Sequence, residues 1–253
     1  MKQLSQLLIA VMLLAVSCTQ DNAEFADATG KSGSITRFAV HNNYMYVLNL
    51  NEVQTYSLAN ADKPVLVHRL PTDYGLETII VYDNTIFLGS RTSLYILGID
   101  NPAAPVLLSQ TSRVEALSRG CDPVVVKDNF AYSTIKIIAN VCGQAAAQSA
   151  LLVYDVSDRT TPIQVGIYPL SLPNGLGYKD NYLFVCDEGS DRLEVFDISN
   201  PRSLQLTDYS VPITDPFDLI VYGEKMLVST KTDFQIYDLS DITAIRRIGL
   251  IEK

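Results

Sequence analysis

A chain of 253 residues that is 47% apolar and only 19% charged can bury a core, which excludes an intrinsically disordered protein. Its net charge is −9, with 28 acidic residues against 19 basic ones, which argues against nucleic acid and against docking on an anionic lipid surface.

The chain opens on Lys2 and the apolar run "LLIAVMLLAV", Leu7–Val16. A spanning helix needs roughly 20 apolar residues, so this run is too short for a membrane anchor and fits the core of a secretory signal. It is followed by "AVSC", with small residues at Ala15 and Ser17 before Cys18. That stretch resembles the lipobox of bacterial lipoproteins. The resemblance implies that residues 1–17 are a signal peptide removed just before Cys18, and that the Cys18 thiol is lipidated. The competing reading is an ordinary cleaved signal followed by a chance cysteine. Residues 18–34, with the polar stretch "TQDNAEFADATGKSGS" after the cysteine, then read as a flexible tether. Removing residues 1–17 takes away Lys2 and no acid, so the anchor would have to be the acyl chains themselves. This predicts an exported protein, lipid-anchored to the cell envelope at the outer membrane, with the periplasmic or surface side left open.

Residues 35–253 repeat themselves five times. A turn column runs through "VHNNYMYVL", "VYDNTIFLG", "VKDNFAYST", "YKDNYLFVC" and "VYGEKMLVS". A second column runs through "VQTYSLAN", "LYILGIDNP", "LLVYDVSD", "LEVFDISNP" and "FQIYDLSD", and a third apolar run closes each unit. From Asn43 to Asn84, Asn129, Asn181 and Glu224 the spacings are 41, 45, 52 and 43 residues. Each unit therefore holds four short strands, a to d, with Asn/Asp/Gly turns between a and b. Four-stranded units at this period predict an all-β fold, a β-propeller of five four-stranded blades. The blades fall at approximately 35–75, 76–118, 119–173, 174–214 and 215–253. Packing of Ile35–Val40 against the last blade is the expected means of closing the ring.

The pattern L-x-V-[YF]-D followed by Pro resembles the LVIVD repeat family of bacterial propeller proteins. Unit one departs from it at Ser57, and unit five lacks the Pro. The resemblance implies the fold and an envelope location and little about mechanism. The Asp column, Asp100, Asp155, Asp197 and Asp238, stands where strand c ends, and a side chain in every blade at that point suits a turn cap better than catalysis.

Propeller topology puts the irregular d–a and b–c loops on one face and the tight a–b and c–d turns on the other. Cys121 and Cys142 both fall in loop-face segments of blade three, so a disulfide is expected, stabilising by ~3 kcal/mol; two buried thiols or a metal pair are the alternatives. A metal reading lacks histidine: His41 is in a turn on the other face and His68 in an outer strand. Cys186 reads as a packed thiol, since no His is placed to activate it. The starts of the inner strands put Arg37, Glu77, Asp122, Asn174 and Asp218 around the channel mouth. This ring either holds a polar or cationic ligand, Ca²⁺ included, or is a solvated rim. "DEGSD" (Asp187–Asp191) is a poor calcium loop and a good hairpin, and "GLGY" (Gly175–Tyr178) is no nucleotide fingerprint. Without Trp a sugar platform is disfavoured. No catalytic or metal-ligating set stands out, and no cofactor is called for.

The sequence thus points to a membrane-tethered, non-enzymatic propeller that serves as a binding or scaffold module of the envelope, with another envelope protein or an extracellular ligand as partner. The alternative is a carboxylate- and Ca²⁺-dependent envelope hydrolase or lyase working at the channel mouth. A third reading is a spacer within a larger envelope assembly.

Overall fold

The computed structural model describes residues 32–33, 36–72, 75–90, 93–112, 123–137 and 148–253. Cys18, Cys121, Asp122 and Cys142 lie outside the described residues, as do residues 1–31. The expectations of a signal peptide, a lipidated cysteine and a disulfide therefore concern residues outside that description.

The repeats fold into five antiparallel sheets, each built on four sequential strands. After a two-residue strand β1 (Ser32–Gly33), blade 1 is β2 (Phe38–His41), β3 (Tyr44–Asn49), β4 (Glu52–Ser57) and β5 (Val65–Pro71). Blade 2 is β6 (Leu76–Tyr82), β7 (Thr85–Ser90), β8 (Ser93–Gly98) and β9 (Val106–Ser112). Blade 3 is β10 (Val124–Lys127), β11 (Phe130–Ile135), β12 (Ala150–Asp155) and β13 (Ile163–Pro169). Blade 4 is β14 (Pro173–Lys179), β15 (Tyr182–Asp187), β16 (Arg192–Asp197) and an outer strand broken into β17 (Gln205–Leu206) and β18 (Val211–Pro212). Blade 5 is β19 (Pro216–Tyr222), β20 (Lys225–Thr230), β21 (Asp233–Asp238) and β22 (Arg246–Glu252). The fold is a β-propeller, with only two single-turn 3-10 helices among the described residues.

The turn column has a backbone reason. The first turn residue after strand a is left-handed in every blade: Asn42, Asp83, Asp128, Asp180 and Gly223 all have φ between 47° and 56°. Asn, Asp and Gly are the residues that tolerate this region. The c–d turns are closed by side chains. Asp155, Asp197 and Asp238 accept the backbone N–H two residues on, from Ser157, Ser199 and Ser240, and Ser57 takes the N–H of Ala59 in the same way. Asp100 does not belong to this column: strand c of blade 2 ends at Gly98, which pairs with Thr85 as Asp155 pairs with Phe130, and Asp100, two residues on, accepts from the Asn84 amide. A second cap follows in every blade, where Asn60, Asn101, Asp158, Asn200 and Asp241 each accept an N–H two residues on. These are Asx turns, and they make the turn face uniform.

Blades pack face to face through alternating strand residues. Four apolar clusters result. Tyr46, Leu48 and Val53 of blade 1 meet Ile79, Val81 and Tyr95 of blade 2. Phe87 and Ile96 meet Val124, Val126 and Tyr154 across the next seam, and Tyr132 and Val153 meet Leu176 and Val185 across the third. Phe184 and Val195 meet Leu219, Val221 and Tyr237 across the fourth. At ~1.5–3 kcal/mol for each large apolar side chain buried, these seams hold the blades in order.

No such cluster spans blades 5 and 1 among the described residues. Phe38 and Val40 occupy the columns of Ile79/Val81, Val124/Val126 and Leu219/Val221, whose members are 6% exposed or less; Phe38 and Val40 are 54% and 57% exposed. The opposite face, on blade 5, leaves Ile220 exposed and Tyr222 82% exposed. The expected packing of residues 35–40 on the last blade is thus not made at Phe38 and Val40. The tether expectation also needs correction at its end. Ser32 and Gly33 pair antiparallel with Gly177 and Leu176 at the free inner edge of β14, and lie among the innermost strands β6, β10, β14 and β19. An unpaired strand edge offers its N–H and C=O groups to any extended segment that reaches it.

Candidate functional site: the polar mouth on the loop face

Each inner strand enters the sheet from the loop face, and three of them do so through a register shift. The shifts fall between Leu76 and Thr78, between Pro173 and Leu176, and between Pro216 and Asp218. A bulge re-aims the residue it inserts. Glu77, Asn174 and Phe217 are such residues.

Asn174 is buried and ties three blades together. Its carbonyl accepts from the Thr134 hydroxyl at 2.8 Å. Its side-chain oxygen accepts from Lys136 Nζ at 3.0 Å. Its amide nitrogen donates to Glu188 Oε2 at 3.1 Å and to the Pro216 carbonyl at 3.2 Å. Lys136 also pairs directly with Glu188 at 2.5 Å. The Lys136 bond and then the Asn174 bond hold the Glu188 carboxyl below the usual range, against a smaller opposing effect of burial. The group is fixed and ionised, which suits a rigid rim rather than proton transfer.

The other expected mouth residues divide. Asp218 stands beside this network, half-buried, with Oδ1 accepting from the Leu219 N–H at 2.9 Å. Its backbone lies so close to β14 that only a glycine fits opposite: a Cβ on Gly175 would sit 2.7 Å from Asp218 Cα. Glu77 is half-buried in its bulge. Arg37 is exposed, and its carbonyl accepts from the Leu48 N–H. Asp122 lies outside the described residues. The structure therefore brings Asn174 and Asp218 to one seam and leaves Arg37 in solvent.

Lys136 and Glu188 are mouth residues that the reading of strand starts did not name. Each is the residue that follows strand b, in consecutive blades, and their charges are opposite. That column was the available signal. The rest of "DEGSD" is structural. Buried Asp187 accepts from the N–H groups of Ser171 and Leu172 at 3.0 and 2.7 Å, and Glu188–Ser190 form a 3-10 turn closed by left-handed Asp191. Among the described residues no three His, Cys, Asp or Glu side chains are grouped to hold a metal ion. Cys186 is free and buried in the seam between blades 4 and 5; burial, and then Asp218, push its thiol well above the usual value. It is packed, not activated. A groove of about 310 Å³ lies away from the mouth, between the outer strands of blades 1 and 2, lined by Leu70, Tyr95, Leu107 and Gln110 among others.

Residues 176–209, which run from the inner strand of blade 4 into its outer strand, match the model of the LVIVD repeat family. Blade 4 carries an LVIVD repeat. Its "LEVFDISNP" holds the Asp197 turn cap and Val195, which packs against blade 5, so the LVIVD wording records turn closure and seam packing. Among solved structures, a protein from Lactobacillus plantarum is 11% identical, with 85% of this chain and 70% of that chain covered at a TM-score of 0.62. A chain of a nidogen/laminin complex is 18% identical, covering 83% of this chain and 76% of that one at a TM-score of 0.56. The periplasmic gluconolactonase PpgL of Pseudomonas aeruginosa is 15% identical, covering 77% and 61% at a TM-score of 0.57. At such identities the likeness shows the propeller fold alone. No curated protein matches the chain.

Proposed function

We propose that the protein is a membrane-tethered propeller of the bacterial cell envelope that binds rather than catalyses, and that presents its loop face to another envelope protein or an extracellular ligand. The observation that supports binding is the state of the mouth. Lys136, Asn174 and Glu188 spend their polar atoms on one another and on Pro216, across three blades. A rim already fixed by its own contacts can present side chains at little ordering cost. Irregular loops on a rigid frame are where recognition concentrates, and the opposite face is a set of uniform capped turns. The tether reading rests on the apolar run Leu7–Val16 and on Cys18. The gluconolactonase shares this fold, so an enzymatic reading is tested beside it: Ca²⁺ at the mouth would raise the melting midpoint and a chelator would lower it.

Two experiments test the proposal. Cys18→Ser should move the full-length chain from the membrane fraction to the soluble one; a variant that stays in the membrane removes the tether. Crosslinking in native membranes should then lose its partner with the loop-face variant Arg37→Glu/Lys231→Glu and keep it with the turn-face variant Asp62→Lys. The reverse pattern places recognition on the wrong face.

A further inference from the structure

Strand β1 has a direction, and that direction decides where the chain before it must go. Inner strands run from the loop face to the turn face, β14 from Pro173 to Lys179. β1 pairs with β14 antiparallel, Ser32 opposite Gly177 and Gly33 opposite Leu176. The chain therefore runs along the propeller axis from the turn face towards the loop face. Each rung of this ladder holds one glycine, which lets the two backbones approach in a confined space. β1 touches the inner strands of blades 2, 3, 4 and 5, so it fills the channel rather than lining one wall. By Thr36 the chain has crossed the axis, where the Thr36 carbonyl accepts from the Ile79 N–H of blade 2 at 3.1 Å. It then enters β2 from the loop face, as the other inner strands do.

We propose that the N-terminal segment is threaded through the propeller, leaving Ser32 by the turn-face opening, and that the turn face is consequently the side turned to the bilayer. The bilayer half rests on the lipidated Cys18 proposed above; the threading does not. Lys179 ends β14 two residues beyond Gly177, so residues 30 and 31 cover the ~7 Å to the turn face at ~3.3 Å per residue. Twelve residues, 18–29, remain between that opening and the anchor. Fully extended they reach about 40 Å. As a random coil they span about 20 Å. To bring the loop face to the bilayer, the chain would first run outward from the axis past four strands, roughly 20 Å. It would then run back along the height of a blade, roughly 20 Å for six residues. That path takes up the whole reach and removes the freedom of every residue in it, which opposes it. Bringing up the turn face needs none of this. Lys136, Asn174 and Glu188 are therefore held away from the membrane, and a ligand at the mouth enters and leaves from that side alone.

Nitroxide pairs on the full-length chain test the threading. One label replaces Ala28, and the second stands at Glu224 or at Lys231, the exposed residues that flank β20 at the turn face and the loop face. The 28–224 distance should be shorter than the 28–231 distance by about 10 Å, half the height of the strand. Equal distances or the reverse order overturn the threading. The same order is expected in Cys18→Ser, so this measurement does not depend on lipidation. The bilayer half is read in vesicles containing nitroxide-labelled phospholipid, with a fluorophore at position 224 or 231 of the lipidated chain. Quenching should be stronger at position 224; equal quenching, or stronger quenching at position 231, overturns the orientation. If Cys18→Ser stays in the membrane, the tether fails and the orientation falls with it, while the distance order still decides the threading.

Discussion

Replacing Gly175 by alanine tests how tightly blades 4 and 5 are joined at the mouth. A Cβ there would lie 2.3 Å from Asp218 Oδ1 and 2.7 Å from Asp218 Cα. The carboxylate can rotate away, but the backbone atom cannot. Ordinary van der Waals contact begins near 3.4 Å, so β14 and β19 must part by about 0.7 Å. That separation loosens the cluster in which Phe184, Val195, Leu219 and Tyr237 interlock. Overpacking of this kind costs ~1–3 kcal/mol. At about 2–4 °C per kcal/mol for a domain of this size, the melting midpoint should fall by ~2–12 °C. Gly223→Ala is the control. It lies in a turn at φ +56° with nothing within 4 Å, so its cost is the left-handed backbone alone, ~1–2 kcal/mol. The two variants differ in a second readout: Gly175→Ala should speed the exchange of amide hydrogens in β14 and β19, and Gly223→Ala should not. A Gly175→Ala protein that melts within a degree of the unaltered chain would refute the close approach of the two inner strands.

Removing the lysine from the mouth should be felt across three blades. Lys136→Ala leaves Asn174 Oδ1 without that donor and Glu188 without its cation. Glu188 is partly in solvent, so the cost is reduced to ~1–2 kcal/mol and the Glu188 carboxyl titrates higher by NMR; an unmoved Glu188 titration contradicts the network. Tyr46, which is buried, and Tyr178, which is half-buried, set an alkaline limit. Burial pushes Tyr46 and Tyr178 up to about 12, from an ordinary value of ~10. The fold favours their neutral forms, so this stability is complete below pH ~10 and is lost as pH rises from ~10 towards 12. Melting midpoints should fall between pH 9 and 11, and Tyr46→Phe, which cannot ionise, should flatten part of that slope; equal midpoints at both pH values would contradict it.

The fold was written in columns that repeat, which is why single residues could be assigned to strands. The a–b turns were legible because left-handed backbone at Asn42, Asp83, Asp128, Asp180 and Gly223 restricts the residue choice to Asn, Asp and Gly. The L-x-V-[YF]-D wording marked strand c because Val195 and its counterparts must pack against a neighbouring blade. Other features left weaker traces. The outer strand of blade 4 reads as one apolar run, "LQLTDYS", yet it breaks. Thr207 N–H and hydroxyl both turn back to the Val195 carbonyl, and Arg192 binds Ser210. Nothing in the run announces those bonds. The mouth was legible as a set of strand starts, which named Asn174 and Asp218. Its partners Lys136 and Glu188 follow strand b instead, and they meet only because consecutive blades turn about one axis. The open seam was hidden for the opposite reason. Phe38, Val40, Ile220 and Tyr222 fit their columns as well as any buried residue, and composition cannot say whether a face is covered.

Equivalent columns make equivalent seams, and among the described residues four are sealed and the fifth is not. Carbene footprinting, read residue by residue on the chain, measures this exposure. Labelling should be heavy at Phe38, Val40, Ile220 and Tyr222 and slight at Ile79, Val81, Val124, Val126, Leu176, Leu219 and Val221. Even labelling along these columns, or protection of all of them in the single chain, would contradict the account.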